Sequence, residues 1–153
     1  ALASIRKLNA AGIKCVALTK GILPTSLAQL SPENEYGITL ISLNEEYRKK
    51  MEPGAASYCE RLAALQSLHS AGCRTWVSIE PYPTPNLIEQ SLNNLLEAVD
   101  FVDKIIFGRT NYSKETTSYI EHRGFYNEKA LEVIQYCKQH HIAYHIKDGT
   151  ITD

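Results

Sequence analysis

Apolar residues in this chain follow two rhythms that alternate along its length. Short apolar runs at Ile13 to Leu18, Ile38 to Ile41, Trp76 to Ile79, Ile105 to Phe107 and Ile142 to Ile146 have the length of buried strands. Between them, apolar positions fall three and four residues apart, as on one face of a helix. Ile5 and Leu8 make one such set, and Leu62, Leu65 and Leu68 make another. Leu87, Ile88, Leu92, Leu95, Leu96 and Val99 form a third, and Leu131, Ile134 and Cys137 a fourth. The spacing predicts helices over 5–11, 58–71, 86–99 and 130–140, with a short one over 26–30. Gly12 and Gly72 then sit where helix C-caps belong. Their surroundings read alike: Leu8-Asn9-Ala10-Ala11-Gly12 and Leu68-His69-Ser70-Ala71-Gly72. Two connections, 44–57 and 109–127, break the pattern and read as long loops.

Helices alternating with strands predict parallel pairing and an α/β fold. About five strands make either an open doubly wound sheet or a partial, TIM-like β/α barrel, and periodicity does not choose between them. With 153 residues, 44% of them hydrophobic, the chain is expected to form one domain spanning 1–153. No strand is followed by GxGxxG and no P-loop is present, so both common nucleotide motifs are excluded. An unclosed sheet leaves an edge to be covered, which suggests a homo-oligomer or preceding strands. The chain begins with Ala and enters a helix almost at once, so it is expected to start inside a longer protein whose N-terminal strands lie upstream.

In parallel α/β folds the C-terminal ends of the strands share one face, and ligands collect there. Here those ends are polar: Thr19-Lys20, Ser42, Glu80-Pro81, Gly108-Arg109 and Lys147-Asp148-Gly149. Lys20 and Lys147 offer ammonium groups to an anion, or amines for imine chemistry if desolvated. Ser42 is a hydroxyl donor or a turn former. Glu80 is held by the following proline, and Ser78 shares its side of the strand. Gly108 allows close backbone approach to an adenine or ribose. Ser57 and Glu60 have capping-box spacing, and Glu52 and Arg61 are placed to pair with each other or with a ligand. Tyr112, Tyr119, Phe125 and Tyr126 either stack on a planar substrate or pack their loop.

Net charge is −1, which supplies no global attraction for nucleic acid or anionic membrane, and no apolar run has the length of a membrane span. The four cysteines, Cys15, Cys59, Cys73 and Cys137, form no CxxC pair and read as free thiols of a cytoplasmic protein. His141 and His145 have helical metal-pair spacing but fall on a loop and a strand, so no metal site is expected from this chain.

Read in order, several phrases resemble a known family. Glu52-Pro53-Gly54-Ala55-Ala56-Ser57 followed by Glu60-Arg61-Leu62-Ala63-Ala64-Leu65 is similar to a segment of radical S-adenosylmethionine proteins, in the branch related to spore photoproduct lyase. Thr19-Lys20, Ile38 to Ser42, and Trp76 to Pro83 match that branch's strand ends in the same order, and the likeness covers most of 1–110. The resemblance implies an enzyme that binds a [4Fe-4S] cluster and cleaves S-adenosylmethionine reductively to start radical chemistry. Its substrate would be unknown, with nucleic acid suggested by the branch. The resemblance also implies a cofactor-binding set of Lys20, Ser42, Glu52, Arg61, Ser78, Glu80 and Arg109. The family's CxxxCxxC loop and its Gly-Gly-acid strand are absent here, so cluster and cofactor are expected in the full-length protein, neither is expected to stay bound to this chain alone, and the isolated chain is expected to be inactive. The alternatives are a lyase or aldolase that forms an imine on a barrel lysine, and a non-catalytic binding module.

Overall fold

The structure, a computed structural model, describes residues 2–110 and 114–152. Its elements run α1 (Leu2–Ala10), β1 (Val16–Thr19), a 3-10 turn (Thr25–Gln29), β2 (Glu35–Thr39), α2 (Glu45–Met51) and α3 (Tyr58–Ser70). They continue with β3 (Arg74–Tyr82), α4 (Leu92–Ala98), β4 (Lys104–Arg109), α5 (Lys114–Thr117), α6 (His122–His140) and β5 (Ala143–Ile146). All four ladders are parallel and the strand order is β1-β2-β3-β4-β5. Every strand therefore pairs with its neighbour in sequence. A doubly wound sheet reverses its order at a switch point, and this sheet does not. The architecture is the partial β/α barrel, with β1 and β5 as its edges.

Alternation along the strands divides the sheet into two faces. On one, Tyr36, Ile38, Val77, Ile79, Ile105 and Phe107 are buried in a single core with Leu65 and Leu68 of α3, Leu95 and Leu96 of α4, and Val133 and Cys137 of α6. On the other lie Trp76, Ser78 and Glu80 of β3. This second face is filled from the middle strand outward. The Trp76 ring lies across β2 so closely that a Cβ on Gly37 would meet ring carbon Cε2 at 2.4 Å. Lys104 sits 5.6 Å from the centroid of that ring and pairs with Glu35 at 3.1 Å, tying β4 to β2 over the indole. Glu80 leans the other way, across β4, and a Cβ on Gly108 would meet its Cδ at 2.9 Å.

Several boundaries differ from those the spacing predicts. The 44–57 connection contains α2. Asn44 caps it by accepting from the Tyr47 N–H at 2.9 Å, with Glu45 and Glu46 in the first turn and Arg48, Lys49 and Lys50 in the last. Capping and dipole signals mark this helix; apolar periodicity does not, because only Tyr47 is buried. The helix expected over 86–99 is confined to Leu92–Ala98, since Ser91 caps it and Leu87 and Ile88 turn back onto the Thr84 carbonyl. Conversely, α6 begins at His122, inside the region read as a loop. β2 starts at Glu35, before the apolar run, and β3 continues through Glu80 and a cis Glu80–Pro81 peptide to Tyr82. Pairing with the neighbouring strand fixes these limits. The predicted capping box is present: Ser57 Oγ accepts from the Glu60 N–H, and the Ser57 N–H donates to Glu60.

Candidate functional site

The strand-end residues assemble into two corners. At the first, Lys20 follows β1. Its carbonyl accepts from the Ala56 N–H at 3.0 Å, which draws the 52–57 turn onto the strand end. Gly54 makes that turn with φ of 82°, a conformation costly for any side chain. Arg48 secures it from α2 by donating to the Ala55 carbonyl at 2.7 Å. The turn carries Glu52 inward, where its side chain is 1% exposed. A carboxylate so placed is costly unless it is paired.

Two cations meet it. Arg61 of α3 donates from Nη2 to Glu52 Oε2 at 2.7 Å, from Nη1 to the Thr39 carbonyl at 2.8 Å and from Nε to the Ala56 carbonyl at 2.9 Å. Its guanidinium is fully buried and lies 5.0 Å from the centroid of the Tyr58 ring. Lys20 Nζ lies 3.0 Å from Glu52 Oε1, as an ion pair rather than an aligned hydrogen bond, and the lysine side chain is 48% exposed. Burial pushes the Tyr58 hydroxyl well above its ordinary range, and the nearby Glu52 charge adds to that.

This corner forms the wall of a cavity of about 410 Å³ over the strand ends. Lys20, Lys50, Glu52, Thr110 and Glu115 supply its polar lining, and Ile41, Tyr47, Met51, Pro81 and Leu87 its apolar one. Burial raises the Tyr47 hydroxyl above its usual value, so this phenol stays a neutral donor at physiological pH. An amphiphilic pocket whose polar lining holds both ammonium and carboxylate groups suits a small zwitterionic molecule with a less polar body.

The second corner joins β3 to β5. Lys147 Nζ lies 3.2 Å from Glu80 Oε2, with side chains 48% and 23% exposed. Reaching that far requires Glu80 to pass over β4, which the bare Cα of Gly108 permits. The space over Gly108, where the sequence reading allowed an adenine or ribose, is taken in this structure by the Glu80 side chain. Arg109 ends β4 beside Gly149, and its N–H donates to Thr150 Oγ1 at 3.4 Å.

The remaining candidates are spread out. Ser42 is buried, and its Oγ accepts from the Asn44 N–H at 3.0 Å, shaping the entry to α2. It lines a separate depression of about 340 Å³ with Asn44, Gln90 and Asn94. Ser78 is buried mid-sheet, in register with Thr39 and Ile106. Tyr119, Phe125 and Tyr126 pack on one another; Phe125 also stacks on Tyr82, and Tyr126 donates to the Tyr82 carbonyl at 2.7 Å. Tyr112 lies outside the described residues. His141 is the left-handed C-cap of α6, and His145 lies in β5. Among the described residues no three His, Cys, Asp or Glu side chains gather as metal ligands, and no helix is long and apolar enough to cross a membrane.

Sequence reasoning missed Tyr47, Lys50, Met51, Leu87, Thr110 and Glu115 as cavity residues. The first three were recoverable from the Asn44 cap and the acidic-to-basic run of α2. Of the others, Leu87 was read as part of a helical stripe but lies in a turn, Thr110 lies in irregular backbone, and Glu115 sits in the short α5, which has no apolar stripe.

No protein-family model matches the chain, and no curated protein matches it in sequence. Among solved structures it is similar to SuiB from Streptococcus suis, at 13% identity and a TM-score of 0.63, covering 95% of this chain and 35% of that one. SuiB bound to S-adenosylmethionine matches at 14% identity and a TM-score of 0.63, with 95% and 33% covered. SuiB bound to the precursor peptide SuiA matches at 16% identity and a TM-score of 0.61, with 95% and 34% covered. At these identities the likeness is one of fold, and the chain spans about a third of the SuiB chains it matches.

Proposed function

We propose that this chain is part of a radical S-adenosylmethionine enzyme, and that it binds and orients the cofactor at the mouth of its partial barrel. The observation that carries this reading is the Lys20–Glu52–Arg61 corner on the wall of an amphiphilic cavity at the strand ends. Support comes from the ordered sequence phrases around those same residues, and from a fold like that of a protein whose structure includes bound S-adenosylmethionine.

The residues present fit the cofactor. Lys20, with Lys50 on the same cavity, would face its carboxylate, while Ile41, Met51, Pro81 and Leu87 would cover its less polar parts. Bound there, S-adenosylmethionine would supply the radical chemistry, and this chain would supply binding, orientation and water exclusion. Arg61 and Glu52 would hold Lys20 in place rather than touch the ligand. Glu80 and Arg109 lie at the second corner, where a substrate would approach, and Ser78 is buried mid-sheet. The residues do not fit a [4Fe-4S] cluster: Cys15, Cys59, Cys73 and Cys137 are far apart in sequence and form no ligand group.

The imine-forming alternative finds less support. Lys20 and Lys147 are each half-exposed and ion-paired to a glutamate, and neither sits in the desolvated apolar pocket that an imine-forming lysine uses. On substrate, the sequence resemblance points to nucleic acid, whereas one SuiB structure holds a peptide. With a net charge of −1, the chain adds no general attraction for a phosphate backbone.

Met51 is the sole methionine and lines the cavity, so its labelled methyl group gives a single resonance that reports occupancy. Titrating the chain with millimolar S-adenosylmethionine, a concentration that reveals weak binding, should shift that resonance, and Lys20→Gln should abolish the shift. A resonance indifferent to the cofactor would overturn the reading.

A further inference from the structure

A lysine paired with one glutamate presents no net charge to an arriving anion. Lys147 with Glu80 is such a pair. Lys20 differs, because its glutamate is shared. Glu52 Oε2 is taken by Arg61 at 2.7 Å, and only Oε1 faces Lys20. Arg61 cannot follow an incoming ligand outward, since it is fully buried and anchored to two main-chain carbonyls, those of Thr39 and Ala56. Two cations and one anion leave the corner with one positive charge in excess. The only solvent-facing member of the three is the Lys20 ammonium.

We propose that Arg61 is a positioning residue that sets the charge of the site: by committing Glu52 from behind, it frees Lys20 to select a ligand with an anionic, carboxylate-like end. This deepens the cofactor reading, on which its ligand class rests, and its charge effect is measurable without any cofactor. Lys50 and Glu115 also face the cavity, and Glu45 and Arg48 lie nearby on α2; these stay constant in the test.

The test compares the arylation rate of Lys20 by anionic trinitrobenzenesulfonate with that by neutral fluorodinitrobenzene. Rates are read by mass spectrometry of the Lys20 peptide from the full chain. Both reagents need the free amine, so the ratio of rates cancels its availability and reports local potential. One unit of charge about 7 Å away in a water-like medium should change the ratio about threefold. Arg61→Met should lower it by that factor, and Glu52→Gln should raise it. In the Glu52→Gln background Arg61→Met should again lower it by about threefold, and Arg61→Lys should leave it unchanged. The ratio at Lys147 serves as an internal reference, constant throughout. If Arg61→Met fails to fold, the Glu52→Gln and Arg61→Lys arms decide alone. Ratios that ignore these charges in folded variants would reduce Arg61 to a structural clamp. That outcome leaves the Met51 titration untouched, so failure of the charge proposal and failure of the cofactor reading are separately visible.

Discussion

Lys20 and Lys147 end the first and last strands of one sheet. They are equally exposed, and each meets a glutamate at nearly the same distance, yet their corners are built on different principles. Glu52 is withdrawn from water and held by a second, buried cation. Glu80 stays partly solvated and meets Lys147 by stretching over a glycine. The contrast shows what burial demands of a carboxylate. Near solvent, one flexible partner suffices and contributes little. In the interior, the charge needs rigid partners on more than one side. The first corner is therefore a fixed part of the fold, with one charge facing outward, and the second is an adjustable clasp.

The largest break in this comparison should come from Arg61→Met. It leaves Glu52 buried with Lys20 as its one cation, and chemical denaturation should show a loss of about 3–5 kcal/mol. Next is Gly37→Ala, which drives a methyl group into the Trp76 ring. Displacing a rigid indole should cost about 1–3 kcal/mol and alter the fluorescence of the sole tryptophan. Gly108→Ala makes a similar demand on Glu80, a side chain that can swing aside. It should open the Glu80–Lys147 pair for about 1 kcal/mol or less in a thermal melt, and leave the Met51 resonance where it was. The smallest effect concerns pH. Hydrogen bonds from the Ser57 hydroxyl, then from its N–H, hold the Glu60 carboxyl below its ordinary range. Its contribution to the start of α3 is whole at neutral pH and is lost as pH falls through that lowered value. Glu60→Gln should remove this portion of the acid limb of the stability profile and leave the alkaline limb unchanged.

Much of the fold was legible because burial writes itself as periodicity. The Leu62, Leu65 and Leu68 row gave α3 to within a residue at each end, and the five apolar runs gave all five strands. α2 escaped because a helix held by its caps, with one buried residue, has no apolar stripe to read. Strand ends moved because pairing partners, not local composition, decide where a ladder starts. The candidate site was legible as a set of residue types at strand ends. Its division into two corners was not, because that depends on which side chains cross a glycine. Arg61 shows the limit well: its sequence position left open a pair with Glu52 or a hold on a ligand, and in the fold it grips Glu52 and two main-chain carbonyls.

The way β3 fills the inner face has a consequence for how such chains diverge. Trp76 spends the space above Gly37, and Glu80 the space above Gly108, so neither member of a pair is free to drift alone. Among related chains, bulk at position 37 should appear only where position 76 has shrunk, and bulk at 108 only where 80 has shortened or turned away. The two glycines are then half of a covarying record whose other half is written on the middle strand.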